Sequence, residues 1–364
     1  MRICNTSLLG TDWHIDQMKY AVNQSPPLKL TVPGEQLLYG TNEFVYIYDT
    51  RDQVIDIRDV MRVFTHPDAK LAMKSGAKVD YIMSRKISVP VNRENVLKYG
   101  ILSPLFKDVI PDHIVLEIPE GKEYLTKPEL FLLDLLSNYE WDRPINFLNM
   151  GGDLDIGIKE YLMYDGYSFR FTPLKTGASN SNVGLVDPDY LYSLLVNTFK
   201  FDAVSAGDYF IDYQNMYTHL GVMSIPNLFL TSSDFYIQLG QRERAKTLLD
   251  KYCQVMRHYP NEAIPIGLSG ADIATIGIIE NYLQIGCEDD ARKLATDYSR
   301  EILSAAAFYL EFYKYAKSEF DQCSNFIYYF ANRLRQNSVN DIADQVEHSL
   351  DEMIDAVNGV TREG

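Results

Sequence analysis

The sequence predicts an α/β N-terminal domain, a mainly parallel sheet flanked by helices, followed by an all-α domain of helical hairpins. Three observations carry this. Up to about residue 200, short β-branched or aromatic runs alternate with segments of helical period, the pattern of strands crossing over through helices. Beyond about residue 210 the strand pattern disappears. In that second region two segments match one another, "YIQLGQRERAKTLL" from Tyr236 and "YLQIGCEDDARKLA" from Tyr282.

In chain order, "RICNTSLL" reads as an opening strand and "TDWHIDQMKYAV" as a helix capped by Thr11 or Asp12. "FVYIYD", "KISVPV" and "HIVLEIP" read as strands. "KPELFLLDLLSNYEW" places Leu130, Leu133, Leu136 and Tyr139 near the helical period. "RPINFLNM" is a strand, "DIGIKEYLMYD" a helix and "YSFRFTPL" a strand. "KTGASNSNVGLVD" is a polar loop, and "DPDYLYSLLVNTFKF" opens a helix on an acidic cap with proline in its first turn. The two matching segments share Tyr-aliphatic-Gln-aliphatic-Gly, then Ala five residues after the glycine. Glycine ends one helix, and Ala245 or Ala291 lets the next pack closely, as in a tetratricopeptide-like hairpin. The implied domains are 1–205 for the sheet, 206–335 for the repeats and 336–364 for a last helix and frayed tail.

Composition narrows the function. The net charge of −16 argues against nucleic acid and against a polybasic membrane patch. No apolar run reaches the roughly 18 to 20 residues needed to span a bilayer. The start lacks a signal-peptide pattern and reads as a folded strand, which suggests a piece of a longer protein. Cys4, Cys253, Cys287 and Cys323 show no C-x-x-C spacing and read as buried thiols, a distant disulfide being the alternative. The 26 tyrosines can build sugar platforms, since a ring packs on C–H groups while its hydroxyl hydrogen-bonds; core and surface filler is the commoner use.

Two stretches invite a site. In "INFLNMGGDLDIGIKEYL", Gly151, Gly152 and Gly157 have the wrong spacing for a dinucleotide loop. Asp153 and Asp155 would repel a phosphate at a helix N-terminus. An EF-hand fails because position 12 from Asp153 is Tyr164. The stretch reads as turn plus cap at the carboxyl end of a strand, with a D-x-D cation site the alternative. In "TDWHIDQM", Asp12 and Asp16 share a helix face and His14 does not, so capping by Asp12 is preferred to a metal site. Trp13 is core or a surface platform. Hydrolase, Walker and H-E-x-x-H signatures are absent from the sequence. Asp12, Trp13, His14, Gly151, Gly152, Asp153 and Asp155 are therefore candidates for binding a ligand or partner. The sequence assigns no catalytic residue, metal or cofactor.

"RICNTSLLGTDWHIDQMK" resembles the segment D-V-R-[IV]-x-N-x-S-L-L-x-T-D-W-Y-I-x-Q-[ML]-K of a family of large bacterial inner-membrane proteins. In this chain His14 replaces the usual tyrosine. "WDRPINFLNMGGDLDIGIKEYLMYDGYSFRFTPLK" resembles that family's RPIYFA…LGL…Y…EGLAYRLVP block. The family comprises protein O-mannosyltransferase-like glycosyltransferases, long carried as a domain of unknown function. The resemblance implies a soluble C-terminal portion at the periplasmic face of the inner membrane, with a membrane-embedded N-terminal half as partner. The presumed catalytic acid belongs to that half, so no catalytic residue transfers to this chain. The expected role is a non-catalytic module that positions an acceptor protein or glycan. Alternatives are a protein-interaction scaffold on the helical repeats and a free-standing α/β enzyme acting on a nucleotide or sugar phosphate.

Overall fold

The computed structural model describes residues 3–50, 52–149, 154–166, 168–177, 184–206, 225–256 and 270–363. The chain divides into two compact units, Met1–Asp187 and Pro188–Gly364. The division lies at the Asp187/Pro188 junction.

The first unit combines short helices with small sheets. Helix α1 (Asp12–Met18) precedes β1 (Phe44–Ile47), β2 (Val54–Asp56), α2 (Ile57–Thr65), β3 (Leu71–Ala72), β4 (Lys78–Val79) and β5 (Tyr81–Ile82). Then come β6 (Lys86–Pro90), α3 (Arg93–Lys98), β7 (His113–Glu117), β8 (Tyr124–Thr126) and α4 (Lys127–Ser137). The unit closes with β9 (Asn146–Phe147), β10 (Leu162–Tyr164) and β11 (Phe169–Phe171). The strand orders are β5-β1-β8, β2-β6-β7 and β10-β11-β9, with β3-β4 as a separate pair.

The mainly parallel sheet is not what forms. Among the described pairings only β1 with β5 and β2 with β6 are parallel. The other five are antiparallel. Parallel strands need a long crossover, and α2 lies in the connection of both parallel pairs. Helix α4 leads to β9, and β9 joins a different sheet.

Two further elements differ from expectation. "RICNTSLL" forms no strand over its described residues: Asn5 Oδ1 accepts the N–H groups of Ser7 and Leu8 at 3.0 and 3.3 Å, turning the chain into a 3₁₀ turn at Leu8–Gly10. "DIGIKEYLMYD" is not a helix. Gly157 sits in the left-handed region (φ 82°), a 3₁₀ turn covers Ile158–Tyr161, and the continuous apolar run Leu162–Tyr164 is a buried strand. A Cβ on Gly157 would lie 2.4 Å from the Glu117 backbone nitrogen.

One hydrophobic cluster runs through the unit. It joins Val60 and Phe64 of α2, Val45 and Leu116 from the sheets, and Leu130 and Leu133 of α4. Within it Trp141, whose ring stacks on Phe171 at 5.2 Å, donates Nε1–H to Pro90 O at 2.8 Å. Helix α4 also buries three charged side chains. Lys127 Nζ donates to the carbonyls of Leu37 and Leu38 and to Glu43 at 2.8 Å. Glu129 accepts from Thr126 N–H, Asp155 N–H and Lys122 Nζ, each at 2.8–2.9 Å. Asp134 accepts the N–H groups of Thr31 and Val32 and the Thr31 hydroxyl.

The second unit is helical throughout its described residues. It opens with α5 (Pro188–Tyr192), a π turn at Ser193–Thr198 and α6 (Asp202–Ala206). It continues with α7 (Ile225–Gln238), α8 (Arg242–Met256), α9 (Gly270–Gln284), α10 (Glu288–Glu311), α11 (Tyr313–Gln336) and α12 (Asn340–Glu363). The two matching segments are the turns α7–α8 and α9–α10, with Gly240 and Gly286 at φ 70° and 78°.

The structure adds a third such turn, between α11 and α12, where Ser338 takes the glycine position at φ 65°. Its hydrogen bonds repeat the other two: Gln241 N–H to Tyr236 O, Cys287 N–H to Tyr282 O and Val339 N–H to Leu334 O, at 2.8, 2.9 and 2.9 Å. Ala343 then matches the buried Ala245 and Ala291. Three helical hairpins closed by the same turn are thus present among the described residues.

The repeated tyrosines link neighbouring helices. Tyr236 OH donates to Asp189 at 2.7 Å and Tyr282 OH to Asp250 at 2.9 Å, while Arg244 and Lys246 lie over the respective rings. Burial, reinforced by these carboxylates, pushes both phenols well above their ordinary value. The four cysteines are free thiols, and burial pushes that of Cys323 up to about 12.

Ser338→Gly removes the left-handed penalty of a side chain and is expected to raise stability by about 0.5–1 kcal/mol in urea denaturation. Gly157→Ala is expected to lower it by more than ~2 kcal/mol, since backbone rather than a movable side chain blocks the new methyl.

Candidate functional site

The alternation Phe44-Val45-Tyr46-Ile47-Tyr48 places three aromatic rings on one face of β1 and two aliphatic side chains on the other. Val45 is fully buried. The aromatic side faces solvent, with Phe44, Tyr46 and Tyr48 exposed by 58%, 39% and 50%. β1 is the central strand of its sheet, so the neighbours extend this face. Tyr46 stands opposite Tyr81 of β5 in parallel register and opposite Tyr124 of β8 in antiparallel register. A row Tyr81–Tyr46–Tyr124 therefore crosses the sheet. Phe44 meets Tyr124 edge to face at 4.7 Å, and Tyr48 meets Tyr81 at 6.2 Å.

The result is a five-ring patch. Two strand spacings give it a width of about 10 Å, and four residues along β1 a length of about 13 Å. The edge-to-face pairs suit the ring quadrupoles and limit rotation. Ring faces can stack on the C–H groups of a ligand, and four phenol hydroxyls supply neutral donors and acceptors. The patch offers adhesion with polar discrimination, and it contains no nucleophile paired with a base.

Charged anchors fix its margins. Tyr48 N–H donates to Ile82 O, and Ile47 N–H to Glu123 O. Asp49 Oδ2 accepts Arg85 N–H at 3.0 Å, and Arg85 Nη1 reaches the carbonyls of Pro119 and Lys122. On the other side, Glu43 receives the buried Lys127 ammonium. That donor holds the Glu43 carboxyl below its ordinary value; partial burial and the nearby Asp12 charge act in the opposite direction. Asn42 Nδ2 donates to Asp80 at 2.9 Å, and Asp80 also pairs with Lys70.

The residues singled out in the sequence fall elsewhere. Asp12 opens α1 and accepts Trp13 N–H at 2.7 Å; Thr11, the residue ahead of the helix, turns its hydroxyl to Leu8 O instead of capping. Trp13 is exposed, and its ring meets His14 edge to face at 5.5 Å. His14 is buried, with Nε2 lacking a partner among the described residues. Asp16 is exposed. Gly151, Gly152 and Asp153 lie outside the described residues. Asp155 is tied through its N–H to Glu129, so this part of the glycine stretch is a loop anchored to the N-terminus of α4. Among the described residues, no group of three or more His, Cys, Asp or Glu is placed to hold a metal ion. No helix among them is long and apolar enough to cross a membrane.

Sequence reasoning recognised "FVYIYD" as a strand and missed the patch. The signal was there in the alternation of rings, but Tyr81 and Tyr124 join it only through the sheet register.

A family model described as TMEM260-associated domain 2 matches residues 1–190, just over half of the chain and nearly coincident with the first unit. No curated protein and no solved structure matches.

The Lys127–Glu43 pair at the patch margin has a pH signature. Because the Glu43 carboxyl is depressed in the folded state, its contribution is present above the ordinary value of 4.5 and is lost as pH falls through the folded value. Glu43→Gln is expected to be less stable than the parent at pH 7, with the gap closing below pH 4.5 in urea titrations at constant ionic strength. A gap that does not change with pH counts against the pairing.

Proposed function

The chain belongs to the TMEM260-associated domain 2 family, a domain of a membrane protein family, and we propose that it is the non-catalytic binding module of a polytopic glycosyltransferase. The aromatic face of the β5-β1-β8 sheet carries this reading. It holds a glycan, either free or on an acceptor protein, for a reaction performed by a membrane-embedded part of the parent protein. Pyranose rings present C–H faces to aromatic side chains and equatorial hydroxyls to phenols, which matches a neutral patch of tyrosines.

The finer assignment is to protein O-mannosyltransferase-like enzymes, with the module at the periplasmic face of a bacterial inner membrane. Its support is the resemblance of "RICNTSLLGTDWHIDQMK" and of the block from Trp141 to Lys175, both inside the matched span. A second reading, a protein-interaction scaffold, is favoured by one observation: the third hairpin turn at Ser338, which gives three hairpins among the described residues of the helical unit.

Titration of the chain with mannose oligosaccharides should give weak, saturable binding, near the millimolar range typical of a few stacked rings. Tyr46→Ala removes the central ring and is expected to weaken binding about tenfold, equivalent to ~1.4 kcal/mol, without changing the thermal midpoint by more than a few degrees. Saturation-transfer NMR reads both. Absence of glycan binding, or binding indifferent to Tyr46, would remove the sugar reading and leave the scaffold.

A further inference from the structure

The aromatic face of the β5-β1-β8 sheet is too large for a single sugar. A pyranose ring is close in size to a benzene ring, so one sugar residue covers one or two of the five rings and leaves the others in water. Phe44, Tyr46 and Tyr48 follow one another in a line along the strand, two residues apart, which is about 7 Å. That spacing lets each ring carry its own sugar together with the linkage to the next. Across the sheet, neighbouring strands are only ~4.8 Å apart. Tyr81 and Tyr124 therefore flank the line too closely to take separate residues, and stand beside it as walls. The ring contacts agree. Tyr124 leans on Phe44 at 4.7 Å on the β8 side, and Tyr81 meets Tyr48 at 6.2 Å on the β5 side. The two walls thus serve opposite ends of the line from opposite sides.

The polar groups of the face are free to act. Among the described residues, the hydroxyls of Tyr46, Tyr48, Tyr81 and Tyr124 find no hydrogen-bond partner. The buried tyrosines behave differently: Tyr139, Tyr161, Tyr236 and Tyr282 each spend the hydroxyl on a carbonyl or a carboxylate. Four phenols, each able to donate and to accept, are thus distributed along the line and on both sides of it. The register positions on this face hold Phe44, Tyr46, Tyr81, Tyr124 and Thr126, and none is charged. With a chain of net charge −16 around it, the face disfavours an anionic ligand and offers a cation no paired acid. An extended peptide is a poor fit, because main-chain pairing takes place at the edge of a sheet and not on its face.

We propose that this face is a linear site for an uncharged oligosaccharide of at least three residues, which runs along β1 with one residue on each of Phe44, Tyr46 and Tyr48. This rests on the glycan-binding role of the face and adds to it the length, the direction and the neutrality of the ligand. A lone sugar on a protein would use one ring of the three. The occupant is therefore a glycan already assembled to several residues, and its hydroxyls meet the phenols of Tyr81 and Tyr124 at the two sides.

The test titrates the full chain with linear mannose oligosaccharides, from the monosaccharide to the pentasaccharide, by saturation-transfer NMR. Affinity is expected to rise at least about tenfold from one residue to three and to level off beyond. Joint replacement of Phe44 and Tyr48 by alanine removes both ends of the line and is expected to abolish that rise, while monosaccharide binding at Tyr46 changes by no more than about threefold. Both side chains are exposed, so the thermal midpoint should hold and report a folded variant. A uronic-acid trisaccharide of matched size is expected to bind at least about tenfold more weakly than its neutral counterpart. Equal affinity for one residue and for three overturns the proposal and leaves a single-sugar site, so the glycan role survives. A rise that persists in the double variant, or equal binding of the charged trisaccharide, also overturns it. Binding of none of these sugars removes the proposal and the glycan role together.

Discussion

Lys127, Glu129 and Asp134 lie within eight residues of one helix, are nearly or fully out of water, and each fixes a different stretch of irregular chain. Lys127 holds the carbonyls before β1 together with Glu43. Glu129 holds the turn into its own helix and the loop at Asp155, and Asp134 holds Thr31 and Val32. Removing one partner of such a buried, fully hydrogen-bonded set typically costs about 3–5 kcal/mol. The described strands of this unit are two to five residues long, too short for sheet pairing alone to set where the loops run. Apolar burial brings α2, α4 and the sheets together without direction. The ionic contacts of α4 specify which loop lies where.

This division explains what could be read from the sequence. The leucines of α4 follow helical spacing, so the helix was legible. Its charges were not, because Lys-Pro-Glu before an apolar run looks like a solvated first turn and only the partners at Leu37, Glu43, Lys122 and Asp155 show otherwise. Strands with an alternating pattern, such as His113–Glu117 and Lys86–Pro90, emerged as expected. Their parallel order did not, since pairing direction depends on which connections act as crossovers. The stretch from Leu162 to Tyr164 was read as helix because a continuous apolar run has no period of its own. Gly157, pressed against the Glu117 backbone, decides the matter.

In the helical unit, the repeats were found where glycine marked them and lost where serine took its place. The left-handed turn tolerates Ser338 at a cost, and the shared features that remain, Gln336 two residues before it and Ala343 five after, are too sparse to stand out in one sequence. The backbone hydrogen bonds reveal the kinship because they depend on conformation rather than on side chains. The same logic applies to the tyrosines at 236 and 282. The sequence shows them as a shared feature of the two segments, and the structure shows that their hydroxyls bind a carboxylate on a preceding helix.

The aromatic face lies at the junction of these two levels. Its rings are set by strand alternation, a property of five consecutive residues, but its completeness depends on the register that brings Tyr81 and Tyr124 beside Tyr46. That register is held at one margin by Asp49 with Arg85 and at another by Glu43 with the buried Lys127. An aromatic face made in this way is preorganised, because its rings are placed by backbone pairing and by edge-to-face contacts. Under the proposed glycan reading, its means of discrimination are shape and neutral hydrogen bonding. Phenols would offer a phosphate only neutral hydrogen bonds and no compensating cation, in the field of an acidic chain, whereas an uncharged ring with C–H faces avoids that repulsion.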